Sequence, residues 1–262
     1  MSSIKIKCLA YLNLLGFDLT KFRNTIKGYS YYKKDYTTLK LQKKGDTQFS
    51  FGANKPIFDD HDSASGVMSG HYFHQDLYVA KKIFENKPQR HVDIGSRTDG
   101  FVSHLAVFRE VEVFDIREQL SKVKNITFKV ADLMQLPPDL IGYCDSLSAL
   151  HSIEHFGLGR YGDPIDYNGH LKAVENIAKI VKPQGKFYFS VPIGPQRINF
   201  NAHRVFSVEY LLNILQKDFD LCSFAYVDDS GALNEKPPLT TNNMKNNFGC
   251  YYGCGIFELK KK

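Results

Sequence analysis

Hydrophobic and polar positions along the chain predict helices and strands in alternation. The stretch "YFHQDLYVAKKIFEN" has the three-and-four spacing of an amphipathic helix. "YNGHLKAVENIAKIVKPQG" has the same spacing, and we expect that second helix to stop at Pro183. Around and between them, short runs rich in β-branched and aromatic residues predict strands at His91–Ile94, Val111–Asp115, Thr127–Val130, Ser146–Leu150 and Lys186–Val191.

Strands that alternate with helices predict a parallel sheet with helices on both faces. The end of the chain differs, because "LCSFAYVDD" and "YGCGIFELKK" read as two strands with no helix between them. We therefore expect one of these strands to run antiparallel at the sheet edge. The predicted fold is α/β, with a mostly parallel sheet of seven strands.

Charge divides the chain unevenly. Residues 1 to 45 carry ten Lys and Arg against two Asp, whereas the whole chain of 262 residues has a net charge of +6. A polar stretch near Gly45 to Ser65 suggests a basic extension over 1–65 and an α/β domain over 66–262. The apolar run "CLAYLNLLGF" is too short to span a bilayer. We expect a solvated extension, with contact at an anionic membrane surface as the alternative and no nucleic-acid partner.

The five cysteines show no pattern of a disulfide framework or of a complete metal site. They are odd in number and widely spaced, so we expect a reducing cytoplasm. Cys250 and Cys254 form a CxxxC pair, but no second pair of Cys or His residues lies nearby in the sequence. The sequence thus favours a structural role for this pair and predicts no metal site.

Acidic residues stand at the ends of the predicted strands, where ligands bind in sheets of this kind. Asp93 lies late in the first strand, and Gly95 opens the turn that follows it. Asp115 ends the second strand, where a carboxylate is suited to accept hydrogen bonds from a ribose diol. Asp132 follows the third strand, and "LHSIEHFGLGRYGDP" follows the fourth.

This order and spacing resembles the class I methyltransferases that use S-adenosylmethionine. The similar segments are "VDIGS", "VEVFD", "VADL", "DSLSALHSIEH" and "IVKPQGKFYFSVP", within residues 72 to 260. The resemblance implies a Rossmann-like fold, with Asp93 and Gly95 beside the methionine part of the cofactor, Asp115 at the ribose and Asp132 at the adenine. More narrowly, "GHYFHQDLYVA", "EHFGLGRYGDPID" and "FNAHRVF" resemble an uncharacterised methyltransferase-like family associated with bacterial surface-polysaccharide genes.

The turn after the first strand departs from the usual glycine pattern. Arg97 and Asp99 stand where further glycines are typical, and Gly100 is displaced by one position. A guanidinium is suited to bind the cofactor carboxylate in a bidentate contact, so we predict that Arg97 does so. The alternative is that Arg97 pairs with Asp99 or Asp93.

The segment "HSIEH" admits two interpretations. His151, Glu154 and His155 match the HxxEH pattern of some zinc peptidases, which needs one continuous helix. A strand precedes the segment and glycines follow it, so we disfavour that interpretation. At the end of a methyltransferase strand, Glu154 and His155 would face the donor methyl group, and we predict that His155 is the general base.

Polar and basic residues after the fourth and fifth strands predict an acceptor site. They are Arg160, Tyr161, Asp163, His203 and Arg204. Such a rim suits a sugar, a sugar nucleotide or a surface-glycan intermediate, because arginines bind phosphate or carboxylate and the other side chains bind hydroxyls. The predicted function is O-methylation of that acceptor; the alternatives are a non-catalytic scaffold of the same fold and a nicotinamide-dependent dehydrogenase.

Overall fold

The computed structural model describes residues 11–61 and 63–262. The chain divides into two compact units, one ending at Val67 and one running from Met68 to Lys262. Part of the apolar run "CLAYLNLLGF" falls on residues 1–10, which lie outside the described residues, as does Cys8. The functional division of the chain at residue 65 stays a prediction.

The first unit is built on one long helix, α1 (Leu19–Lys43). Asp18 begins it, because its carboxylate accepts hydrogen bonds from the backbone N–H groups of Thr20 and Lys21 at 2.8 and 3.0 Å. Gly28 is buried in α1 because the ring of Phe58 lies against it, so that a Cβ at this position would be 2.5 Å from that ring. No helix in the described part of the chain is long and apolar enough to cross a membrane. Membrane-surface contact stays a prediction.

The second unit contains a sheet of eight strands in the order β3-β2-β1-β4-β5-β10-β8-β9. They are β1 (His91–Ile94), β2 (Val111–Asp115), β3 (Ile126–Val130), β4 (Cys144–Leu150), β5 (Val181–Ile193), β8 (Phe219–Val227), β9 (Leu233–Glu235) and β10 (Gly253–Lys261). Two further strands, β6 (Arg197–Asn199) and β7 (His203–Val205), form a separate antiparallel ribbon.

Strands β1 to β5 are parallel, which confirms the predicted mostly parallel α/β sheet. Of the two predicted tail strands, β10 is the antiparallel one, but it lies between β5 and β8 and not at the edge. The antiparallel edge strand is β9, which pairs with β8 and brings the sheet to eight strands where seven were expected. The pattern missed β9 because it has three residues and follows a tight turn. In that turn the Asp228 carboxylate accepts from the backbone N–H groups of Ser230 and Ala232.

Helices cover both faces of the sheet. On one face α2 (His71–Asn86), a π-helical turn (Thr98–Val102) and α3 (Ser103–Ala106) pack on a cluster that includes Ile83, Val113 and Tyr188. On the other face α4 (Gly169–Ile180) and α5 (Val208–Leu215) pack on a larger cluster that includes Phe114, Phe187 and Phe189. Buried residues of one strand therefore alternate between two cores, as the period of two requires.

The predicted elements and the observed ones differ mainly at their ends. Helix α2 matches its prediction closely, whereas α4 ends at Ile180 and β5 starts at Val181, so that Pro183 lies within the strand. Between β8 and β10 the chain forms a short helix, α6 (Thr241–Lys245), where none was predicted. The described cysteines, Cys144, Cys222, Cys250 and Cys254, are free.

Candidate active site

A cleft with two connected lobes lies at the carboxyl ends of the parallel strands, where sheets of this class bind ligands. The apolar lobe comprises about 530 Å³ of space that includes open solvent, and it is lined by Ile94, Gly95, Phe114, Asp115, Ile116, Arg117, Ala131, Asp132, Leu133, Met134, Ser152, His155, Phe156, Tyr161 and Asp163. The polar lobe comprises about 1040 Å³, again including open solvent, and it is lined by Tyr72, Gly95, Ser96, Arg97, Thr98, Asp99, Asp115, Arg117, Glu118, Gln119, Phe128, His151, His155, Arg160 and Tyr161.

Gly95 lies at the junction of the two lobes. Its backbone has a φ of +65°, which a residue with a side chain adopts only with strain. A Cβ here would lie 3.1 Å from Cβ of Ser152 and 4.0 Å from Oδ2 of Asp115. The absence of a side chain therefore keeps the cleft open beside the carboxylate at the end of β2.

Asp115 faces the cleft but already has a partner. Arg117 donates to it from Nε and Nη2 at 2.9 and 2.7 Å, and the backbone N–H of Arg117 donates at 2.9 Å. The guanidinium of Arg117 also lies 4.3 Å from the ring centre of Tyr161, which holds it between the two lobes. An ionised carboxylate accepts about four hydrogen bonds, so Asp115 retains capacity for a ligand hydroxyl.

Arg97 pairs with Asp99 in a bidentate contact, with distances of 3.0 and 2.7 Å. Both side chains are largely exposed, at 60% and 70% of their accessible area. An exposed pair contributes little to stability and is readily exchanged for another partner. The structure thus shows the alternative partner that the sequence offered for Arg97, on the wall of the polar lobe.

Asp93 is fully buried behind the turn and does not line the cleft. Its carboxylate accepts hydrogen bonds from the backbone N–H and the hydroxyl of Ser96 at 3.0 and 2.7 Å, and from the Ser148 hydroxyl at 2.5 Å. Because Ser148 donates to Asp93, it accepts from Nε2 of His91 at 3.0 Å. Asp93 therefore stabilises the turn after β1 from its buried side through these hydrogen bonds.

The titration of Asp93 predicts a measurable pH dependence of stability. Burial raises its pKa to about 6, against three hydrogen bonds that lower it. The folded chain then holds this proton more tightly than the unfolded chain, so stability falls as pH rises from the ordinary pKa of 3.8 to about 6. The loss is roughly 3 kcal/mol. Asp93→Asn should lack this loss, so between pH 4 and pH 7 the variant should gain most of that amount in unfolding free energy relative to the original chain, as measured by urea unfolding.

His91 also contributes to the pH dependence of stability, and comparing Asp93→Asn with the original chain cancels that contribution. Burial lowers its pKa to about 3, so its contribution to stability rises with pH over the same interval. Both proteins retain His91, and their difference isolates Asp93. A difference in unfolding free energy that stays constant with pH would contradict the buried, proton-binding state of Asp93.

Asp132 lines the apolar lobe just after β3. One carboxylate oxygen, Oδ1, accepts from the backbone N–H of Met134 at 2.9 Å, which closes a local turn. Phe114 and Leu133 form buried apolar walls of the same lobe. The lobe thus combines apolar walls with carboxylates at its rim.

His155 follows β4 and lines both lobes, and its role as a base stays a prediction. Its Nδ1 lies 2.6 Å from the backbone carbonyl of Ala202, and a carbonyl only accepts, so Nδ1 carries the hydrogen. Nε2 is then the basic nitrogen, and Oε1 of Glu154 lies 3.8 Å from it. Burial lowers the pKa of His155 below 6.5, outweighing Glu154, so that the ring is neutral near pH 7.

Glu154 is not brought into the cleft. It is buried, and its Oε1 accepts from Nδ1 of His151 at 2.6 Å. Burial raises the pKa of Glu154, but the interactions with His151 and, to a smaller extent, with His155 and the backbone together lower it, so that the net shift is downward. Residues 153–155 form a single 3-10 turn, so the helix that an HxxEH zinc site needs is not formed. Glu154 contacts His151 and His155 and lines neither lobe.

The predicted acceptor residues divide into two groups. Arg160 and Tyr161 line the polar lobe, and the Arg160 guanidinium also donates to Ala202. Asp163 touches the apolar lobe, but its oxygens accept from the backbone N–H groups of Gly157, Gly159 and Tyr161, so it mainly shapes the loop.

The other two residues do not line the cleft. Arg204 is 4% exposed and donates to the backbone carbonyls of Phe156 and Tyr167 at 2.6 and 3.1 Å, which fixes the loop after β4. His203 lies near Asn199 in the β6–β7 ribbon. Both residues follow β5, as the sequence predicted. Their side chains nevertheless do not line the cleft, because the direction of a side chain depends on packing.

Comparison with known protein families identifies the chain. Residues 89–247 match the family described as "Caenorhabditis protein of unknown function, DUF268", and the match covers more than half of the chain. The chain belongs to this family. The matched region includes β1 to β5 and all of the cleft except Tyr72. No curated protein matches the chain in sequence.

Solved structures show which fold this family member has. A candidate sarcosine dimethylglycine methyltransferase from Galdieria sulphuraria superposes with a TM-score of 0.51, at 14% identity, over 71% of this chain and 85% of that one. The N-methyltransferase NodS from Bradyrhizobium japonicum WM9, in complex with S-adenosylhomocysteine, gives 0.48 at 11% identity, over 73% and 88%. The fold is that of the class I methyltransferases, as predicted.

Several residues of the cleft were missed by the sequence interpretation. Arg117 is the partner of Asp115, while Ser152 and Tyr72 line the lobes. The position of Arg117, two residues after a carboxylate at a strand end, was an available signal. Tyr72 carries no local signal, because it approaches the cleft from a helix remote from the strand-end motifs.

Proposed function

We propose that this protein is a methyltransferase that uses S-adenosylmethionine. The observation that supports the proposal best is the placement of Gly95, Asp115 and Asp132 around one apolar lobe at the carboxyl ends of β1, β2 and β3. Apolar walls suit an adenine ring, and Asp115 retains acceptor capacity for ribose hydroxyls. When bound, the cofactor supplies an activated methyl group.

The acceptor in this proposal is a hydroxyl of a sugar, a sugar nucleotide or a surface-glycan intermediate. The polar lobe supports it, because Arg160 and Tyr161 offer donors for phosphate or hydroxyl groups beside His155. Methyl transfer to a hydroxyl requires removal of a proton, and Nε2 of His155 is the nitrogen that is free to accept one. Glu154 would stabilise the resulting imidazolium from 3.8 Å.

Calorimetric titration of the full chain with S-adenosylmethionine, S-adenosylhomocysteine and NAD tests the proposal. We expect both sulfur compounds to bind with similar affinity and NAD to bind far more weakly, since "GSRTDG" lacks the middle glycine of a pyrophosphate turn. Binding of NAD alone would contradict the proposal and favour a dehydrogenase. Failure to bind any of the three would favour a non-catalytic scaffold.

One observation favours that scaffold as the second candidate. Asp115 and Arg97, two residues assigned to the cofactor, already have partners within the chain, Arg117 and Asp99. If these pairs persist, the cleft keeps its shape without a cofactor. A folded chain that keeps both pairs and shows no saturable binding of S-adenosylmethionine would agree with the scaffold.

Arg97→Ala should separate the two roles offered for this arginine. If the guanidinium leaves Asp99 to bind the cofactor carboxylate, S-adenosylmethionine and S-adenosylhomocysteine should both bind about ten- to a hundredfold more weakly, while adenosine is unaffected. The melting temperature should hardly change, because the pair with Asp99 is exposed. Calorimetry with the three ligands and a thermal melt measure both effects.

Asp99→Ala is the matched control, because it frees Arg97 without removing it. We expect its affinity for S-adenosylmethionine to equal or exceed that of the original chain. Unchanged affinity of Arg97→Ala for all three ligands would contradict the carboxylate contact. A loss for all three, accompanied by a lower melting temperature, would show that Arg97 only braces the turn.

A further inference from the structure

Three potential metal ligands converge beside the polar lobe from distant parts of the second unit. His71 begins α2, His151 follows β4, and Cys254 lies in β10. One ligand atom from each, two ring nitrogens and the thiol sulfur, lie within 4.8 Å of one another. His151 also lines the polar lobe.

His151 supplies a second observation that points to a ligand. Its side chain is 4% exposed, and its buried Nε2 makes no hydrogen bond of normal geometry among the described residues, while the His151 side chain interacts with the thiol of Cys254. Buried ring nitrogens normally have a hydrogen-bond partner, because an unpaired one loses its hydrogen bond to water and forms no other in its place. Its φ of +50° is also uncommon for a residue with a side chain.

The neighbours of both histidines are those that metal-bound histidines have. Nδ1 of His151 lies 2.6 Å from the Glu154 carboxylate, which orients the ring and leaves Nε2 available. The His71 ring is hydrogen-bonded to the backbone of Tyr252 and stacks on His151, with ring centres 5.1 Å apart and planes 9° apart. A carboxylate or a carbonyl behind each histidine is the usual second layer of a metal site.

Cys254 provides the third ligand. It is fully buried, and its thiol donates a weak hydrogen bond to the side-chain carbonyl of Gln75, with 3.6 Å between sulfur and oxygen. A thiolate together with two imidazoles binds Zn²⁺ and similar soft divalent ions in preference to Mg²⁺ or Ca²⁺. Binding would release the thiol proton to solvent, and Gln75 would still be held by the Ser190 hydroxyl, which donates to it at 2.6 Å.

The geometry points to a Zn²⁺ site formed by His71, His151 and Cys254, with one coordination position left for water or a group of the acceptor. Around tetrahedral Zn²⁺, nitrogen and sulfur ligands lie roughly 3.3–3.6 Å apart, as follows from bond lengths of about 2.0–2.3 Å. The three side chains therefore need to close by little more than about 1 Å. The site does not depend on the proposed methyl transfer, and it differs from the HxxEH pattern because His155 is not a ligand.

Cobalt titration of the full, chelator-treated chain tests the site without any activity assay. We expect Co²⁺ to bind in one equivalent, with a thiolate-to-cobalt absorption band in the near ultraviolet that Zn²⁺ displaces. Cys254→Ala should lose that band, and His71→Ala should bind both metals much more weakly. Glu154→Gln should retain the band but bind about 10- to 100-fold more weakly, because it changes only the second layer.

Two matched controls make the test specific. Cys250→Ala removes a buried cysteine four residues from Cys254, and His74→Ala removes a histidine one turn from His71 on α2. Both should bind Co²⁺ as the original chain does. Circular dichroism of each variant checks that it is folded.

Three results would overturn the proposed Zn²⁺ site. A folded original chain that shows no thiolate-to-cobalt band, or that takes up no stoichiometric Zn²⁺ by elemental analysis, has no such site. A band that persists in folded Cys254→Ala would also contradict it. Because the readout is metal binding in the absence of S-adenosylmethionine, failure here leaves the proposed methyltransferase unaffected, and the converse also holds.

Discussion

His155→Gln is expected to slow methyl transfer to a hydroxyl acceptor by about 10²- to 10⁴-fold, the range for loss of a general base. The ring is held by its Nδ1–H on the carbonyl of Ala202, which leaves Nε2 to accept the proton. Glutamine retains a donor for that carbonyl but has no basic nitrogen. The rate under saturating S-adenosylmethionine measures the effect, and cofactor affinity should change by no more than a few fold.

The pH profile provides an independent check on the same residue. Because burial lowers the pKa of His155 below 6.5, the rate of the original chain should fall only on the acid side of that value, where the ring becomes protonated. His155→Gln should lack this fall.

His170→Gln is the matched control, since His170 is a buried histidine bonded to Tyr210 and is not among the cleft residues. It should retain both the rate and the profile. If His155→Gln transfers methyl groups within a few fold of the original rate, His155 is not the base.

Asp115→Asn is expected to weaken S-adenosylmethionine binding by about 2–3 kcal/mol, roughly 30- to 150-fold. The amide removes the negative charge that strengthens hydrogen bonds from the two ribose hydroxyls and keeps the shape of the side chain. Stability should change little, because the lost ion pair with Arg117 is half exposed on the arginine side. Calorimetry on the folded variant, with a thermal melt, gives both quantities.

Arg117→Ala tells whether the carboxylate or the pair binds the cofactor. It removes the partner and leaves Asp115 at the end of β2. We expect affinity to stay within a few fold or to increase. An equal loss in both variants would assign the binding to Arg117, and unchanged affinity in Asp115→Asn would remove the ribose role.

Much of the fold could be predicted because its signals are local. The three-and-four spacing around Ile83 predicted α2, and the short apolar runs predicted five parallel strands. Element ends and β9 were less accurate, because three residues carry too little pattern and a turn such as that at Asp228 outweighs propensity. The order of the strands placed Asp115 and Asp132 at one edge before any coordinates were considered.

Side-chain partners within the site were less predictable than the positions of the residues. Gly95, Asp132 and His155 line the cleft as their places at strand ends suggested. Arg204 and Glu154 lie equally close to strand ends, but their side chains turn inward to carbonyls and to His151. A rotamer choice decides this, and it depends on packing from other elements.

The sequence by itself determined the parallel sheet, its helical layers and the edge at which ligands bind, because periodicity and strand order are written in neighbouring residues. Only the tertiary structure decided which distant side chains meet. It brought His71, His151 and Cys254 together from three elements. Contacts of this kind depend on distance through space between residues far apart in the chain, which no local pattern encodes.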